Sequence, residues 1–390
     1  MKVGFLFDVK LLKYNGHYYS VNLNEQLWNQ NYFPYFDKIK LICRYVDSSE
    51  DPSSKMHRTD IPGVEVCAMT NKGAIKRMLH INEENKKIAE YLQDCDVVIC
   101  RGFWGVKQSR ALNKPYLIEV VSCYWDSMWN HSIFGKFFAG PMFLTLKSAC
   151  AKAKYVMYVS EHFLQSRYPT RGKCIGVSDV ITTPMTKEEI NFRIEKAKLP
   201  CENNTIKIGT TAAVNVAYKG QKYVIRAMKM LSDRGINNIE YHMVGGGDNS
   251  LLLNEAKLCG IESKIIFHGS LPHNKVTEFL DSLDIYIQPS FQEGLPGAVV
   301  EAMARGVPCI GSNTGGIPEL INPSFICNKK HLAEELAEKI EIMLEDQNRL
   351  VETKRSIERA KAFEKNVLAE KRKLFMNDFK NFAMTSNGKK

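Results

Sequence analysis

Between Phe291 and Pro308 the chain sets two carboxylates, Glu293 and Glu301, around the start of a helix, with Gly294, Leu295, Pro296 and Gly297 between them. A pair of carboxylates at that spacing suits gripping the hydroxyls of a polyol. Asp284 to Gln288 reads as a buried strand that stops at Pro289, and Val299 to Arg305 as a helix stopped by Gly306. Glu293 therefore falls in the connecting loop and Glu301 well inside the helix. Pro296 suits the first helical position, where its missing N–H costs nothing, and Gly294 and Gly297 let a ligand approach backbone amides closely. Such orphan amides point toward bound anions.

A second turn of the same character is Gly245–Gly246–Gly247, where three glycines after an apolar strand permit close approach to a phosphate or a ring. No G-x-G-x-x-G follows the first strand, which sets a nicotinamide cofactor aside.

The spacing of Glu293 and Glu301, the flanking run Glu301 to Pro308 and the run Gly315 to Leu320 together resemble the E-x7-E signature of retaining GT-B glycosyltransferases, group 1/family 4 type. The resemblance implies that Glu293 contacts hydroxyls of a donor sugar and Glu301 the ribose of its nucleotide, while the backbone from Gly294 through Leu295 and Pro296 to Gly297 faces sugar and diphosphate. Lys219-Gly220 matches a family turn whose lysine balances diphosphate charge as the glycosidic bond breaks. Glu293 and Lys219 are thus the expected catalytic residues, with Gly245, Gly246 and His268 lining the donor pocket and His268 itself more structural than catalytic. The donor is a UDP- or GDP-linked sugar, a substrate rather than a cofactor. One departure stands out: where relatives carry an arginine shortly before that lysine, this chain has Ala213. Loss of a charge-assisted contact of that kind weakens a grip by about 1.5–3 kcal/mol, and Arg101 is a candidate replacement. On the acceptor side Gly16, Arg101, Asp126 and His131 are the candidates, with Trp125 standing where relatives have a histidine. Asp94-Cys95-Asp96 spells the metal-binding D-x-D of another transferase class, but it leads into a buried strand and is read as strand entry, so no metal is expected.

With 390 residues, 44% hydrophobic and 25% charged, the chain is long enough for two soluble domains with separate cores. Its first residues enter an apolar strand without signal-peptide character, and no run of about 18 apolar residues occurs. Eleven scattered cysteines read as free thiols of a cytoplasmic protein. A net charge of +10 without a nucleic-acid-binding motif excludes nucleic acid and leaves an anionic membrane or a charged substrate. Ile133 to Lys154 interleaves aromatics and aliphatics with lysines, as an interfacial segment does, while Leu144 to Ala153 within it reads equally as a core-facing helix with a lysine rim.

Alternating strands and helices predict an α/β protein with two doubly wound parallel sheets. Strands are expected at 3–7, 39–44, 64–68, 97–100, 116–121 and 155–159, with helices at 19–28, 72–91 and 134–153. A second series starts at Ile206, with strands at 206–210, 239–244, 265–268, 285–288, 308–311 and 325–326. In the GT-B architecture the resemblance implies, two Rossmann-like domains face a central cleft and the C-terminal helix crosses back to the first. The expected division is an acceptor-side domain 1–184, a loop-like linker 185–204, a nucleotide-sugar-binding domain 205–348 and a helical tail 349–390, whose apolar contacts would be Phe363, Val367 and Leu374. The implied activity is transfer of a sugar to a saccharide acceptor, lipid-linked in surface polysaccharide assembly, with peripheral contact to an anionic membrane. A silent GT-B scaffold and a GT-B epimerase or phosphorylase are the alternatives.

Overall fold

The structure, a computed structural model, describes residues 1–71, 80–131, 133–201 and 204–387. It divides into two compact units, one of Met1–Val121, Gly140–Val177 and Ala369–Lys390, the other of Ser122–Ala139 and Ser178–Leu368.

The first unit is built on a nine-stranded sheet. Its strands are β1 Lys2–Tyr14, β2 His17–Ser20, β3 Lys38–Asp47, β4 His57–Arg58, β5 Val64–Thr70, β6 Val97–Arg101, β7 Tyr116–Val120, β8 Tyr155–Tyr158 and β9 Lys173–Gly176. Seven of them run parallel in the order β5-β3-β1-β6-β7-β8-β9. Their near-continuous apolar runs are buried, Val97 to Cys100 among them, as befits a parallel sheet covered on both faces. Phe5 stands edge-on to Trp28 and Tyr32 at 5.3 and 4.9 Å.

The hairpin corrects the expected first strand. β1 runs well past Phe7, and Asn15 and Gly16, with φ of 47° and 80°, form a two-residue turn from which β2 returns antiparallel. Positive φ at both residues is what a type I′ turn requires, and Asn-Gly supplies it. Gly16 is therefore the tip of a hairpin rather than a position beyond a strand that ends at Phe7. Tyr19 lies in β2, so the helix expected at 19–28 is confined to Glu25–Asn31, capped by the Asn24 side chain. Of the helix expected at 72–91, residues 72–79 lie outside the described residues, and the remainder forms Ile81–Leu92.

The second unit carries β10 Ile206–Thr211, β11 Ile239–Val244, β12 Ile265–Phe267, β13 Ile285–Gln288, β14 Cys309–Ser312 and β15 Ile326–Cys327. They pair in the order β12-β11-β10-β13-β14-β15, every pair parallel. Counted along the chain this is 3-2-1-4-5-6, the order of a Rossmann unit. The segment expected as a loop-like linker, 185–204, contains a helix. Thr186 and Glu189 form a reciprocal capping box that starts the helix Lys187–Ala197, and buried Arg193 donates to the carbonyls of Leu283 and Asp281 at 2.7 and 3.1 Å.

The tail also differs from expectation. It is two helices, Asp346–Ala360 and Lys365–Asn387, broken where Thr182 donates its N–H to the Phe363 carbonyl. From Ala369 onward the last helix belongs to the first unit, burying Phe375, Met376, Phe379 and Ala383 and surrounding Tyr155 with the rings of Phe375, Phe379 and Phe382. Phe363 is buried in the second unit, but Val367 and Leu374 are 39% and 65% exposed. The buried stripe is set one residue round the helix, through Leu368 and Phe375, where helical spacing makes it continuous.

Candidate active site

In a 3-2-1-4-5-6 sheet the connections leave the first and fourth strands in opposite directions, opening a crevice beyond their carboxyl ends. Here those strands are β10 and β13. The segment after β10 ends in a short 3-10 turn, Ala217–Lys219, and then Gly220 at φ 77°. A Cβ on Gly220 would lie 2.0 Å from the Pro289 carbonyl oxygen, so only glycine lets this turn close on the segment after β13. Phe291 N–H donates to the Tyr218 carbonyl at 2.7 Å across the same junction. From the other side, Gly315, at φ 57°, would set a Cβ 2.2 Å from the Glu293 carbonyl oxygen, and Gly316 N–H donates to Gly294 O at 2.7 Å. Two glycine turns thus grip the loop that carries Glu293.

The grip brings the two expected catalytic side chains together. Lys219 Nζ lies 2.7 Å from Glu293 Oε1, with the side chains 23% and 11% exposed. Gln288 Nε2 donates to the same oxygen at 3.0 Å. Next to them, Ala212–Val214 and the glycine turn are knit by Val214 N–H to Gly246 O, and a Cβ on Gly245 would overlap the Ala212 carbonyl oxygen at 1.9 Å. Ala213 sits in this seam, its carbonyl accepting from Gln221 Nε2 at 3.1 Å.

The helix Gly297–Ala304 opens with Pro296 as its N-cap, one position before the place expected for it, because ψ of 108° keeps the proline outside the helix. Gly297 faces Val180, whose Cγ2 a Cβ would meet at 2.7 Å. Glu301 lies one turn inside and lines a cavity of about 140 Å³ with Thr183, Thr277 and Arg305. His268, just past β12, stacks on His242 with Nε2 3.0 Å from His242 Nδ1, while His242 Nε2 meets Glu240 Oε2 at 3.1 Å. Burial, and then His242, pull His268 below the usual imidazole pKa, which favours its neutral form.

The acceptor-side candidates are dispersed. Gly16 is the hairpin tip. Arg101 ends β6 with Nη1 3.7 Å from Glu119 Oε2 and its guanidinium over Phe7, and the Tyr32 hydroxyl donates to Glu119 at 2.9 Å. Its charge is thus met by a buried carboxylate of its own unit. Asp126 lies on the helix Tyr124–His131, which groups with the second unit rather than with residues 1–184 as expected. The adjacent Ser127 accepts from Gln292 Nε2 at 3.2 Å, which ties this helix to the Glu293 loop. His131 ends that helix, and its side chain lies outside the described residues. Asp94 binds Lys2 and Lys40 at 2.7 Å each, and Asp96 accepts the Lys2 N–H, so both carboxylates clamp the entry to β6 and its neighbours. Among the described residues no trio of His, Cys, Asp or Glu is placed to hold a metal. Sequence reasoning missed Gln288, whose only signal was a polar residue closing an apolar strand.

Two Rossmann-like α/β units, with the last helix returning to the first, define the GT-B class. The model of the family "Glycosyl transferases group 1" matches residues 194–363. Protein CapJ of Staphylococcus aureus is 31% identical over 342 residues, covering 85% of this chain and 83% of CapJ. The chain belongs to the group 1 glycosyl transferases. The amylovoran biosynthesis glycosyltransferase AmsK of Erwinia amylovora is 36% identical over 110 residues, covering 26% of this chain and 27% of AmsK. Among solved structures, Anabaena HepE in complex with UDP-glucose superposes with a TM-score of 0.68 over 97% of this chain and 100% of HepE, at 16% identity.

Proposed function

We propose that this protein is a retaining, metal-independent glycosyltransferase that moves a hexose-type sugar from a UDP- or GDP-linked donor to a saccharide hydroxyl. The observation that carries the reading is the 2.7 Å pairing of Lys219 with Glu293 at the strand-order reversal of a Rossmann unit. Glu293 accepts hydrogen bonds from sugar hydroxyls, Glu301 from the ribose, and Lys219 offsets charge on the departing diphosphate. In a front-side displacement the leaving phosphate oxygen takes the acceptor proton as the new glycosidic bond forms on the face the old one leaves. No protein base is then required, and Asp126 serves to place the acceptor. Asp94 and Asp96 are engaged by lysines and backbone, which supports a reaction whose diphosphate charge is met by Lys219 and main-chain amides.

The relatives support a place in polysaccharide biosynthesis, since AmsK bears that role in its name and HepE was solved with UDP-glucose. We read the acceptor as lipid-linked and the protein as cytoplasmic, working at the inner membrane face. Exposed Trp125 and Trp129, stacked at 5.5 Å, lie close in sequence to exposed Phe137 and Phe138, with Lys136 over the Trp129 ring. Aromatics beside a lysine suit an anionic interface. In the first unit, an open groove of about 480 Å³ bordered by Lys107, Arg110 and Lys152 supports the same kind of partner. Among the described residues no helix is long and apolar enough to cross a membrane.

Calorimetric titration with UDP and GDP, then with the sugar conjugate of whichever binds, tests the reading on wild type, Glu301→Ala and Lys219→Ala. Selective binding that weakens in both variants is expected; wild type that binds neither nucleotide overturns it. A catalytically silent scaffold is the second reading, favoured by Ala213. If wild type binds donor without turnover and Ala213→Arg awakens activity, that reading prevails.

A further inference from the structure

Glu293 takes two protein donors and both land on one oxygen. Lys219 Nζ and Gln288 Nε2 reach Oε1 at 2.7 and 3.0 Å, and among the described residues no donor reaches Oε2. The lysine is partly exposed, but Gln288 is 2% exposed and closely confined. Its carboxamide is fixed from behind by Tyr286, on the same face of β13 two residues earlier, whose hydroxyl lies 2.8 Å from Gln288 Oε1.

The direction of every proton in this chain follows from chemistry. A carboxylate only accepts, so Gln288 must turn its NH2 toward Glu293 and its Oε1 toward Tyr286. Tyr286 must then donate its single proton to Gln288, and the Thr211 hydroxyl, 3.0 Å away, donates to Tyr286. The second N–H of Gln288 is taken by Ser290 Oγ at 2.9 Å. Burial raises the Tyr286 pKa and keeps that donor protonated across the ordinary pH range. A reversed carboxamide would set two acceptors against each other, so the network has one arrangement. Packing alone would be served by an apolar residue such as Ile285 or Ile287, both fully buried on the same strand.

We propose that Gln288 is a positioning residue for sugar transfer: held by Tyr286 and Thr211, it fixes the rotation of the Glu293 carboxylate so that Oε2 is the oxygen presented to a hydroxyl of the donor sugar. This rests on the reading of Glu293 as the contact to that sugar. The consequence is selective. A nucleoside diphosphate without its sugar does not touch Glu293, so Gln288 governs the gain in affinity from nucleotide to nucleotide sugar and leaves nucleotide affinity alone.

Two substitutions separate this role from packing. Gln288→Leu removes the donor. Gln288→Glu keeps the shape but faces Glu293 with a second carboxylate at about 3 Å; their repulsion raises the apparent pKa at which the pair shares a proton, and the Lys219 ammonium at 2.7 Å opposes that rise. Below that pKa the shared proton restores a donor, and above it the two charges repel. The measurement is calorimetric binding of UDP, UDP-glucose, GDP and GDP-mannose from about pH 5.5 to about pH 8, with far-UV circular dichroism to check folding. Gln288→Leu is expected to reduce the ratio of sugar-nucleotide to nucleotide affinity by about tenfold at every pH. Gln288→Glu should reduce it by a similar factor near pH 8 and recover most of it near pH 5.5, while wild type shows no such recovery. Tyr286→Phe, which leaves Gln288 in place but unpinned, should give about a threefold loss of the same ratio, and it decides the matter if Gln288→Leu does not fold. A ratio unchanged in Tyr286→Phe and Gln288→Leu, or equal weakening of nucleotide and sugar nucleotide, reduces Gln288 to a packing residue and overturns the proposal. Wild type that binds none of the four ligands overturns the functional reading itself, and the proposal with it.

Discussion

Replacing Gly220 by alanine tests the junction that brings Lys219 to Glu293. Gly220 and Gly235 have nearly the same backbone, φ 77° and 87°, but a Cβ on Gly220 would lie 2.0 Å from the Pro289 oxygen whereas one on Gly235 would meet nothing within 4 Å. Both variants carry the left-handed penalty of about 1–2 kcal/mol. Only Gly220→Ala must also push a carbonyl aside by about an ångström, a strain of about 1–3 kcal/mol judged from overpacked interiors. The difference between the variants isolates that strain, and at roughly 3 °C per kcal/mol Gly220→Ala should melt about 3–9 °C below Gly235→Ala. Differential scanning calorimetry reads this directly. Sugar-nucleotide binding supplies a second reading, since displacing the turn moves Lys219 away from Glu293, and it should weaken only in Gly220→Ala. Equal melting and equal binding in the two variants would refute the view that this close approach assembles the site.

Lys219→Ala should lower the rate of nucleotide release by about 10²–10³-fold, the usual effect of removing one charge-stabilising group. Its ion pair is partly solvated, so the stability loss should stay near or below about 1 kcal/mol; a larger fall in melting temperature would recast the lysine as structural. Hydrogen bonds from Lys2 and Lys40 hold Asp94 down to about 2 from 3.8, so its stabilisation is fully present above about pH 4 and is lost as pH falls toward 2. Urea unfolding should show Asp94→Asn less stable than wild type at neutral pH, by under about 1 kcal/mol because the pair is half-exposed, with the gap closing in acid. Paired Phe137→Ser and Phe138→Ser changes should weaken co-sedimentation with anionic vesicles while leaving UDP or GDP binding intact; unchanged sedimentation would remove these rings from any membrane contact.

Much of the second unit was legible because its strands are short apolar runs with punctuation at both ends. Asp284 and Pro289 bracket β13, which falls where its apolar run puts it, and Asn249 and Gly260 likewise bracket the helix Ser250–Cys259. Elsewhere signals were present and misjudged. Asn15-Gly16 is a hairpin turn that lengthens β1, and Thr186 with Glu189 is a capping box inside a segment whose charge made it look like a linker. The break at Lys361–Phe363 carries no glycine or proline; it is imposed by the bridge between Thr182 and Glu364, a contact invisible along the chain. The two catalytic candidates could be named from the family resemblance of their motifs, whereas Gln288 could not, because its role depends on which face of β13 it shares with Tyr286 and on what lies opposite that face.

The return of the last helix has a consequence for how this protein is made. Tyr155 waits for Phe375, Phe379 and Phe382, and Asp378 for both Tyr155 and Lys173, so the first sheet lacks part of its covering until the final turns are synthesised. Most of the second unit, Ser178–Leu368, must emerge in between. At translation speeds of about 5–20 residues per second, that interval is on the order of 10–40 s. During it the ribosome-bound chain presents an apolar edge with no occupant, and the unit encoded first is the one whose core closes last.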